Sequence, residues 1–309
     1  MSDIPGGPTD PARVIDACVA AIANGELRGP PPKVLYHLTD GDGLYGILTN
    51  RVLWANLATG LNDALEVGHG VAVATELLNE RLRKRETLYD VALLGFLLDP
   101  SAAPPGVRFE MFPLVASFCA RCDKSGQWLH YGRSGHGVAI GFSSELSHVV
   151  SYDLIRVDYS PESQRLRMLQ LIEAGQNAID SETRVGSLEE QINQAQRTAH
   201  IVSLYVPQLS VRMKHPAFSE EEEWRLVAHI MSLNGVRQDV TGDRTGLKYR
   251  KSNGRLIPYE ELSFTARASE MIKEIVVGYS SEIAPDAVQL LAQEQKLSPI
   301  VVRSDVPVR

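Results

Sequence analysis

The stretch from Leu114 to Phe142 constrains the fold of this chain more than any other. Apolar runs at its two ends, Leu114–Phe118 and Gly137–Phe142, predict short buried strands. Between them lie turn formers and then a group of chemically versatile side chains: Trp128, His130, Tyr131, Arg133 and His136. Loops that carry such side chains between rigid strands are often functional sites. The alternative is a hairpin whose aromatic side chains fill a hydrophobic core.

Composition and charge indicate a globular protein of a reducing compartment. The 309 residues are 44% hydrophobic and 22% charged, which allows a sizeable core. The net charge of −7 disfavours broad binding to a phosphate backbone but allows a local basic patch. Three cysteines do not form a disulfide framework. Since there is no signal-peptide pattern and no apolar run of roughly 18 residues, we expect a cytoplasmic protein without membrane contact.

The predicted elements place the chain in the α+β class. Residues 1–32 are predicted as an N-terminal helical extension, and residues 33–309 as a single domain. Residues 161–207 have helical spacing and predict a helical insertion of two helices, broken near Gly175 and Gly186. Many short strands with helices grouped between them favour a mixed or mainly antiparallel sheet.

Three further segments are predicted as strands. Val91–Leu98 is a continuous apolar run, which is typical of a central strand. Val149–Tyr159 alternates enough to predict a strand that pairs with Val138–Phe142. Leu209–Lys214 is predicted as a strand that precedes a glutamate-rich segment.

A short strand near the N-terminus carries polar side chains on one face. Val34–Leu38 is predicted as this strand, and strand alternation places His37 and Thr39 on the same side. Further along, Asn62 and Asp63 precede a predicted helix, and we expect them either to cap it or to contribute to a site.

The glutamate-rich segment is the second chemical focus. As a strand over Glu220–Ile230, it places Glu221, Glu223 and Arg225 on one face and Trp224 on the other. A run of glutamates is also typical of a solvated face. Because like charges repel, we expect that removing either carboxylate charge leaves the stability unchanged or slightly raised.

Neither a metal site nor a phosphate loop is predicted. Cys119 and Cys122 are followed by His130 and His136, but the spacing is shorter than the ~12 residues usual in zinc fingers. No glycine-rich phosphate-binding loop follows a strand. We therefore expect no bound metal.

The remaining polar groups meet the requirements of glycosidic bond cleavage. That reaction passes through an oxocarbenium-like state, which a carboxylate stabilises while a histidine holds the sugar and an aromatic ring stacks on the leaving base. A histidine strand, a Trp/Tyr loop and a glutamate pair supply these groups without a metal.

Several motifs, in this order along the chain, resemble the DUF2971 family of uncharacterised bacterial proteins. They are LYHLT…GILTNRVLWAN, the Leu61-Asn62-Asp63-x-x-Glu66 turn, SF…W-x-x-Y…G-x-AIGF, K-x-P-x-F…E-x-E-W-R, IKEIVVG and the terminal S-D-V-P-V-R. The resemblance extends over most of the chain from Val34 onward.

The opening Tyr-His-x-Thr also resembles the first motif of ADP-ribosyltransferases. This resemblance implies a split, mainly antiparallel sheet, and NAD as the substrate. The implied catalytic set is Glu223, Glu221 and Tyr131. The implied NAD-binding set is His37, Thr39, Trp128, Tyr131, Ser117 and Asn62.

We therefore expect an enzyme that transfers ADP-ribose from NAD to a protein or nucleic acid, or that hydrolyses NAD, in a toxin or phage-defence setting. One alternative is a non-catalytic module that senses a nucleotide or a partner through the same cleft. A further alternative is a metal-dependent nuclease that uses Asn62, Asp63, Glu66, Glu221 and Glu223. The transferase hypothesis predicts that His37, Tyr131 and Glu223 line one cleft.

Overall fold

The computed structural model of the chain describes residues 10–24, 29–58, 64–102, 109–180, 186–233, 236–238, 247–252 and 254–307. The described helices are α1 Pro11–Asn24, α2 Gly41–Asn50, α3 Ala64–Lys84, α4 Leu88–Leu98, α5 Ser125–His130, α6 Leu146–Val150, α7 Pro161–Asp180, α8 Leu188–Ser210, α9 Ala268–Met271 and α10 Pro285–Glu294. The described strands are β1 Val34–Thr39, β2 Val52–Leu57, β3 Phe109–Cys119, β4 Val138–Ser143, β5 Asp153–Arg156, β6 Glu223–Leu233, β7 Val236–Gln238, β8 Lys248–Ser252, β9 Arg255–Ser263, β10 Ile272–Val277 and β11 Ile300–Arg303.

These strands form one open sheet in which antiparallel pairs predominate. The main path has the order β11-β10-β4-β1-β3-β2-β9-β8, while β6 pairs with β3 and carries β5 and β7 on its other side. Among the described strands, only β10 and β11 pair in parallel. The predicted α+β class with a mainly antiparallel sheet is confirmed.

Strand β3 is the point at which the sheet divides. One of its edges pairs with β6 along its whole length, from Phe109 opposite Leu233 to Cys119 opposite Glu223. The other edge is shared, because β1 pairs at Cys119 and β2 pairs at Val115 and Leu114. The first and second strands therefore diverge along one edge of β3.

Two hydrophobic cores lie on either side of this arrangement. One packs helices α2 and α10 against the sheet face that carries Leu35, Phe118 and Trp224. The other joins α1, α3, α4, α7 and α8 and includes Met111 of β3. Since α1 buries Cys18 in this second core, the N-terminal extension and the helical insertion pack together.

The prediction of a central strand at Val91–Leu98 is wrong, because this segment lies in helix α4. A continuous apolar run does not distinguish a buried strand from a buried helix. The helix begins after Thr87, whose side chain accepts a hydrogen bond from the backbone nitrogen of Asp90 at 3.0 Å. Tyr89, Leu93 and Phe96 are buried at helical spacing.

Two other strand predictions also need correction. Val149–Tyr159 contains the end of α6 and then β5, which pairs with β6 and not with the predicted partner. Leu209–Lys214 contains the end of α8 and a turn, within which Met213 makes a single bridge to Asp158.

The segment predicted as a helical insertion contains the two helices α7 and α8, and one of its two predicted breaks is correct. A second helix begins after Ser187, which caps it, so the break near Gly186 is correct. The predicted break at Gly175 is wrong, because α7 continues through it. A β-carbon at Gly175 would lie 2.3 Å from the hydroxyl of Tyr89, so this glycine allows close helix packing.

Helix α4 provides a matched pair of leucines that tests its packing. We expect Leu93→Ala to lower the free energy of unfolding by about 2–5 kcal/mol, because Leu93 is fully buried. Leu98→Ala should change it by less than about 0.5 kcal/mol, because Leu98 is 70% exposed. Urea unfolding followed by circular dichroism measures both, and equal losses would contradict the helix packing.

Candidate functional site

A buried group of charged side chains lies at the start of β6. Glu223 begins the strand, Arg225 follows on the same face, and Lys214 comes from the turn after α8; all three are less than a tenth exposed. Arg225 Nε donates to Glu223 Oε1 at 2.7 Å, and its Nη2 donates to Oε2 at 2.8 Å. Lys214 Nζ donates to the same Oε2 at 3.1 Å. Both carboxylate oxygens of Glu223 are thus engaged.

Lys214 connects this buried pair to the surface. Its Nζ also donates to Glu221 Oε2 at 2.6 Å, and the hydroxyl of Tyr131 donates to Glu221 Oε1 at 2.9 Å. The ring centroids of Phe218 and Tyr131 lie 5.4 and 5.9 Å from this ammonium group. These side chains form a series of contacts, Arg225–Glu223–Lys214–Glu221–Tyr131, that runs from the interior to solvent. We call this series the ionic chain.

Local backbone geometry explains why both glutamates reach one lysine. A 3₁₀ segment over Pro216–Glu221 turns the chain back, and Glu222 then adopts a left-handed conformation with φ 46°. Glu221 therefore lies before the strand and not within it, contrary to the predicted strand phase. Gln127 Nε2 donates to the carbonyl of Glu221 at 2.9 Å and fixes α5 against this turn.

The surroundings keep Glu223 ionised. Burial alone would raise the pKa of this carboxyl, but the charges and hydrogen bonds of Arg225, together with Lys214, outweigh burial and lower it. The hydroxyl of Ser117 also bonds this carboxylate and acts in the same direction. Burial, followed by the charge of Glu223, raises the pKa of Tyr159, whose hydroxyl accepts from the Glu223 backbone nitrogen at 3.1 Å.

Glu221, and not Glu223, has the more accessible carboxylate of the two glutamates. Glu223, predicted as the catalytic carboxylate, has both oxygens bound by cations, whereas Glu221 has a side chain that is 15% exposed. The expectation that the two carboxylates merely repel is also wrong, because the ammonium group of Lys214 lies between them. Loss of the negative charge of either glutamate removes one of the two carboxylates that pair with the buried ammonium group of Lys214.

The prediction that His37, Tyr131 and Glu223 line one cleft is wrong. Cys119 pairs with both Tyr36 and Glu223, so these three share one face of the sheet. His37, the next residue along β1, points to the other face, where its ring lies 5.9 Å from that of Phe118.

His37 instead supports the point at which β1 and β2 diverge. Its Nδ1 lies 3.0 Å from the carbonyl oxygen of Ser117, so the imidazole binds a backbone group next to the split. Burial lowers the pKa of His37, and the bond to Ser117 opposes this only in part. Thr39, on the same face, packs against α2, where a β-carbon at Gly43 would lie 2.0 Å from its Oγ1.

Trp128 is unsuited to the predicted stacking on a ligand. The segment before Tyr131 is helix α5 and not a loop, and it buries Trp128 completely. The indole Nε1 donates to Asp123 Oδ1 at 2.9 Å, which satisfies its polar group within the core. Asn62 lies outside the described residues, as does Asp63 of the nuclease hypothesis.

The cysteine pair occupies a small apolar cluster. Cys119 and Cys122 are buried with Trp128 and Val276, and burial raises the pKa of the Cys119 thiol to about 12. Within the described ranges, no group of three or more histidine, cysteine, aspartate or glutamate side chains is placed to hold a metal ion. None of the described helices is long and apolar enough to cross a membrane.

The structure therefore brings together four of the predicted residues and adds three. Ser117, Tyr131, Glu221 and Glu223 meet, whereas His37, Thr39 and Trp128 lie elsewhere. The additions are Lys214, Arg225 and Tyr159, to which no role was assigned. The motif K-x-P-x-F…E-x-E-W-R contains the first two, so its spacing was the signal for the ionic chain.

Comparison with known proteins gives one match. Residues 127–226 match the model of a family described as a protein of unknown function (DUF2971). The match supports the family resemblance seen in the motifs, and its range contains every residue of the ionic chain. No curated protein and no solved structure matches the chain. The similarity to ADP-ribosyltransferases stays a prediction.

One buried lysine, Lys214, and one exposed lysine, Lys248, allow a matched test of the buried ion pairs. We expect Lys214→Met to lower the free energy of unfolding by about 3–5 kcal/mol, because it removes the buried cation that Glu221 and Glu223 share. Lys248→Met breaks the exposed pair with Glu261 and should cost less than about 1 kcal/mol. Similar losses in urea unfolding would show that the ionic chain is not a buried network.

The pH dependence of stability tests the ionisation of Glu223. Since the folded state lowers this pKa below its ordinary 4.5, the unfolded state takes up the proton first, and the contribution of Glu223 is lost as the pH falls below 4.5. The stability difference between the wild type and Glu223→Gln should therefore be full at neutral pH and shrink in acid. A difference that does not change with pH would refute the assigned ionisation.

Proposed function

We propose that this chain binds a nucleotide, for which NAD is the first probe, at the surface formed by Tyr131, Phe218 and Glu221. The observation that carries this proposal is the outer end of the ionic chain. There the partly exposed carboxylate of Glu221 is held by Lys214 and Tyr131, next to two exposed aromatic rings. An aromatic ring offers a stacking surface to a base, and a carboxylate accepts hydrogen bonds from ribose hydroxyls.

Cationic side chains beside this surface suit the phosphate groups of a nucleotide. Arg121 Nη2 and Lys124 Nζ lie 3.0 and 3.3 Å from the same oxygen of Glu222, next to the 3₁₀ segment. Arg121 is 70% exposed in its side chain. A guanidinium group binds phosphate in a bidentate manner, so a bound nucleotide can compete with Glu222 for these cations.

The same geometry favours binding over turnover. Both oxygens of the buried Glu223 are bound by Arg225 and Lys214, and Lys214 is in turn held between two carboxylates. His37, the expected ribose ligand, faces the other side of the sheet. A set of fixed charges that needs no rearrangement is suited to ligand recognition. The non-catalytic nucleotide-sensing module is accordingly our first choice.

A second candidate function is cleavage of the nicotinamide–ribose bond of NAD, with transfer of ADP-ribose to a macromolecular acceptor or to water. The observation that favours it is the position of Glu221, whose two oxygens are fixed by Lys214 and Tyr131 while part of the side chain meets solvent. A fixed negative charge at this position would stabilise the cationic sugar of the transition state.

Two substitutions of Tyr131 distinguish the contribution of its ring to nucleotide binding from that of its hydroxyl group. We expect Tyr131→Ala to weaken NAD binding roughly tenfold or more, because a base–aromatic stack is lost. Tyr131→Phe keeps the ring and should retain most of the affinity. Isothermal titration calorimetry measures each variant, and Tyr45→Ala, which removes an exposed tyrosine on α2, is the control. Lack of nucleotide binding by the folded wild type would refute the proposal.

Release of nicotinamide distinguishes the two candidate functions. For a binding module, NAD is bound but no nicotinamide is released, with or without added protein and nucleic acid. For a transferase or hydrolase, release occurs and Glu221→Gln slows it on the order of 10²–10³-fold, because the charge that stabilises the sugar cation is gone. Thermal unfolding of the variant verifies that it is folded.

A further inference from the structure

A second surface combines an exposed tryptophan, which stacks on a buried tyrosine, with basic side chains. It lies on the outer strands β2, β9 and β8. We call it the Trp54 surface, and it comprises Trp54, Tyr259, Lys248, Arg250 and Arg255. Tyr259 of β9 lies opposite Asn56 of β2 on one side and Lys248 of β8 on the other, so these three side chains share a face of the sheet. Side chains two residues apart on a strand also share a face, which places Trp54, Arg250 and Arg255 on the same side.

The exposed indole of Trp54, which lies on the buried ring of Tyr259, is the feature that a core does not explain. Trp54 is 42% exposed, and its ring lies 4.4 Å from that of Tyr259 at an angle of 34°. Trp128 and Trp224, the other two tryptophans, are buried. Tryptophan is enriched at interfaces because its large ring is amphipathic, and the exposed part of Trp54 offers a flat face on which a planar ligand can stack.

The charge around this pair is positive although the whole chain carries −7. The segment from Lys248 to Arg255 contains four basic residues and no acidic one. Arg250 Nε donates to Asn56 at 2.9 Å, which holds its guanidinium beside the aromatic pair, and Arg255 is exposed. Among the described residues of β2, β8 and β9, Glu261 is the acidic one on this face, and it pairs with Lys248 at 2.7 Å.

Edge strands commonly carry lysine and arginine to prevent pairing with other chains, and β8 is such an edge. That role needs neither an exposed tryptophan nor an arginine fixed next to it. We propose that the Trp54 surface binds single-stranded nucleic acid, with a base stacked on Trp54 and backbone phosphates on Arg250 and Arg255. Stacking platforms flanked by cations are the usual means of binding single strands.

Fluorescence of Trp54 gives the first test with the full chain. Addition of an unlabelled oligothymidylate of about twelve nucleotides should quench tryptophan emission, since a stacked base quenches the one exposed indole among the three tryptophans of the chain. Trp54→Phe keeps an aromatic platform, so it should bind the same oligonucleotide while the quenching disappears. Binding without quenching in the wild type would overturn the assignment to this surface.

Affinity and salt dependence give the second test, with a fluorescein-labelled oligonucleotide and polarisation as the readout. Trp54→Ala should weaken binding roughly fivefold to a hundredfold, the effect of losing one base stack. Arg255→Gln should reduce the slope of affinity against salt by about 0.7, as expected for one phosphate contact to a single strand. Lys251→Gln, on the opposite face of β8, is the matched control and should change both quantities much less.

Three results would overturn the proposal. They are equal affinity of Trp54→Ala and the wild type, equal effects of Arg255→Gln and Lys251→Gln, and affinity for duplex DNA as high as for the single strand. Thermal unfolding of Trp54→Ala and Trp54→Phe establishes that any loss of binding belongs to folded protein.

Discussion

The charge of Glu223 is the constraint on which the rest of this structure depends. A carboxylate buried at the start of a central strand is costly unless cations and hydrogen-bond donors surround it. Arg225 lies two residues further along the same strand, but Lys214 comes from the turn after α8. Arg225 Nη1 also donates to the carbonyl of Val211 at 2.7 Å, so one charged group fastens the end of the helical layer to the sheet.

Because of this arrangement, the same group of side chains can both stabilise the fold and form a surface for a ligand. The inner half of the ionic chain is saturated by its own members, and the outer half ends at a carboxylate beside Tyr131 and Phe218. The inner ion pairs fix the position of Lys214, which fixes Glu221. Charges held in this way lose little conformational entropy when a ligand binds.

Much of the fold could be predicted from the sequence, because local patterns determine it. Asp40 and Ser187 are strong helix caps, and the apolar run Ile275–Val277 fits a buried strand. Val91–Leu98 could not be assigned, since an apolar run fits a helix and a strand equally well and only contacts with α8 decide between them.

The site was predictable only in part, for a different reason. The strand phase that brought Glu221 and Glu223 to one face assumed a continuous strand, whereas the left-handed residue Glu222 interrupts it. His37 and Glu223 fall on opposite faces because of the register between β1, β3 and β6, which one sequence does not reveal. The burial of Trp128 could not be predicted, because the six residues of α5 are too few to show the helical spacing of apolar side chains that marks a buried face.

The pairing of β3 with β6 also governs the order of events during synthesis. Cys119 and Glu223 are direct neighbours in the sheet although about a hundred residues separate them along the chain. Helices α7 and α8 lie in the interval and can form from local contacts. At the usual rate of translation, β3 leaves the ribosome about 5–20 s before its partner. The edge of β3 that pairs with β6 lacks its partner for that time, and unpaired strand edges of this kind make a nascent chain prone to aggregate.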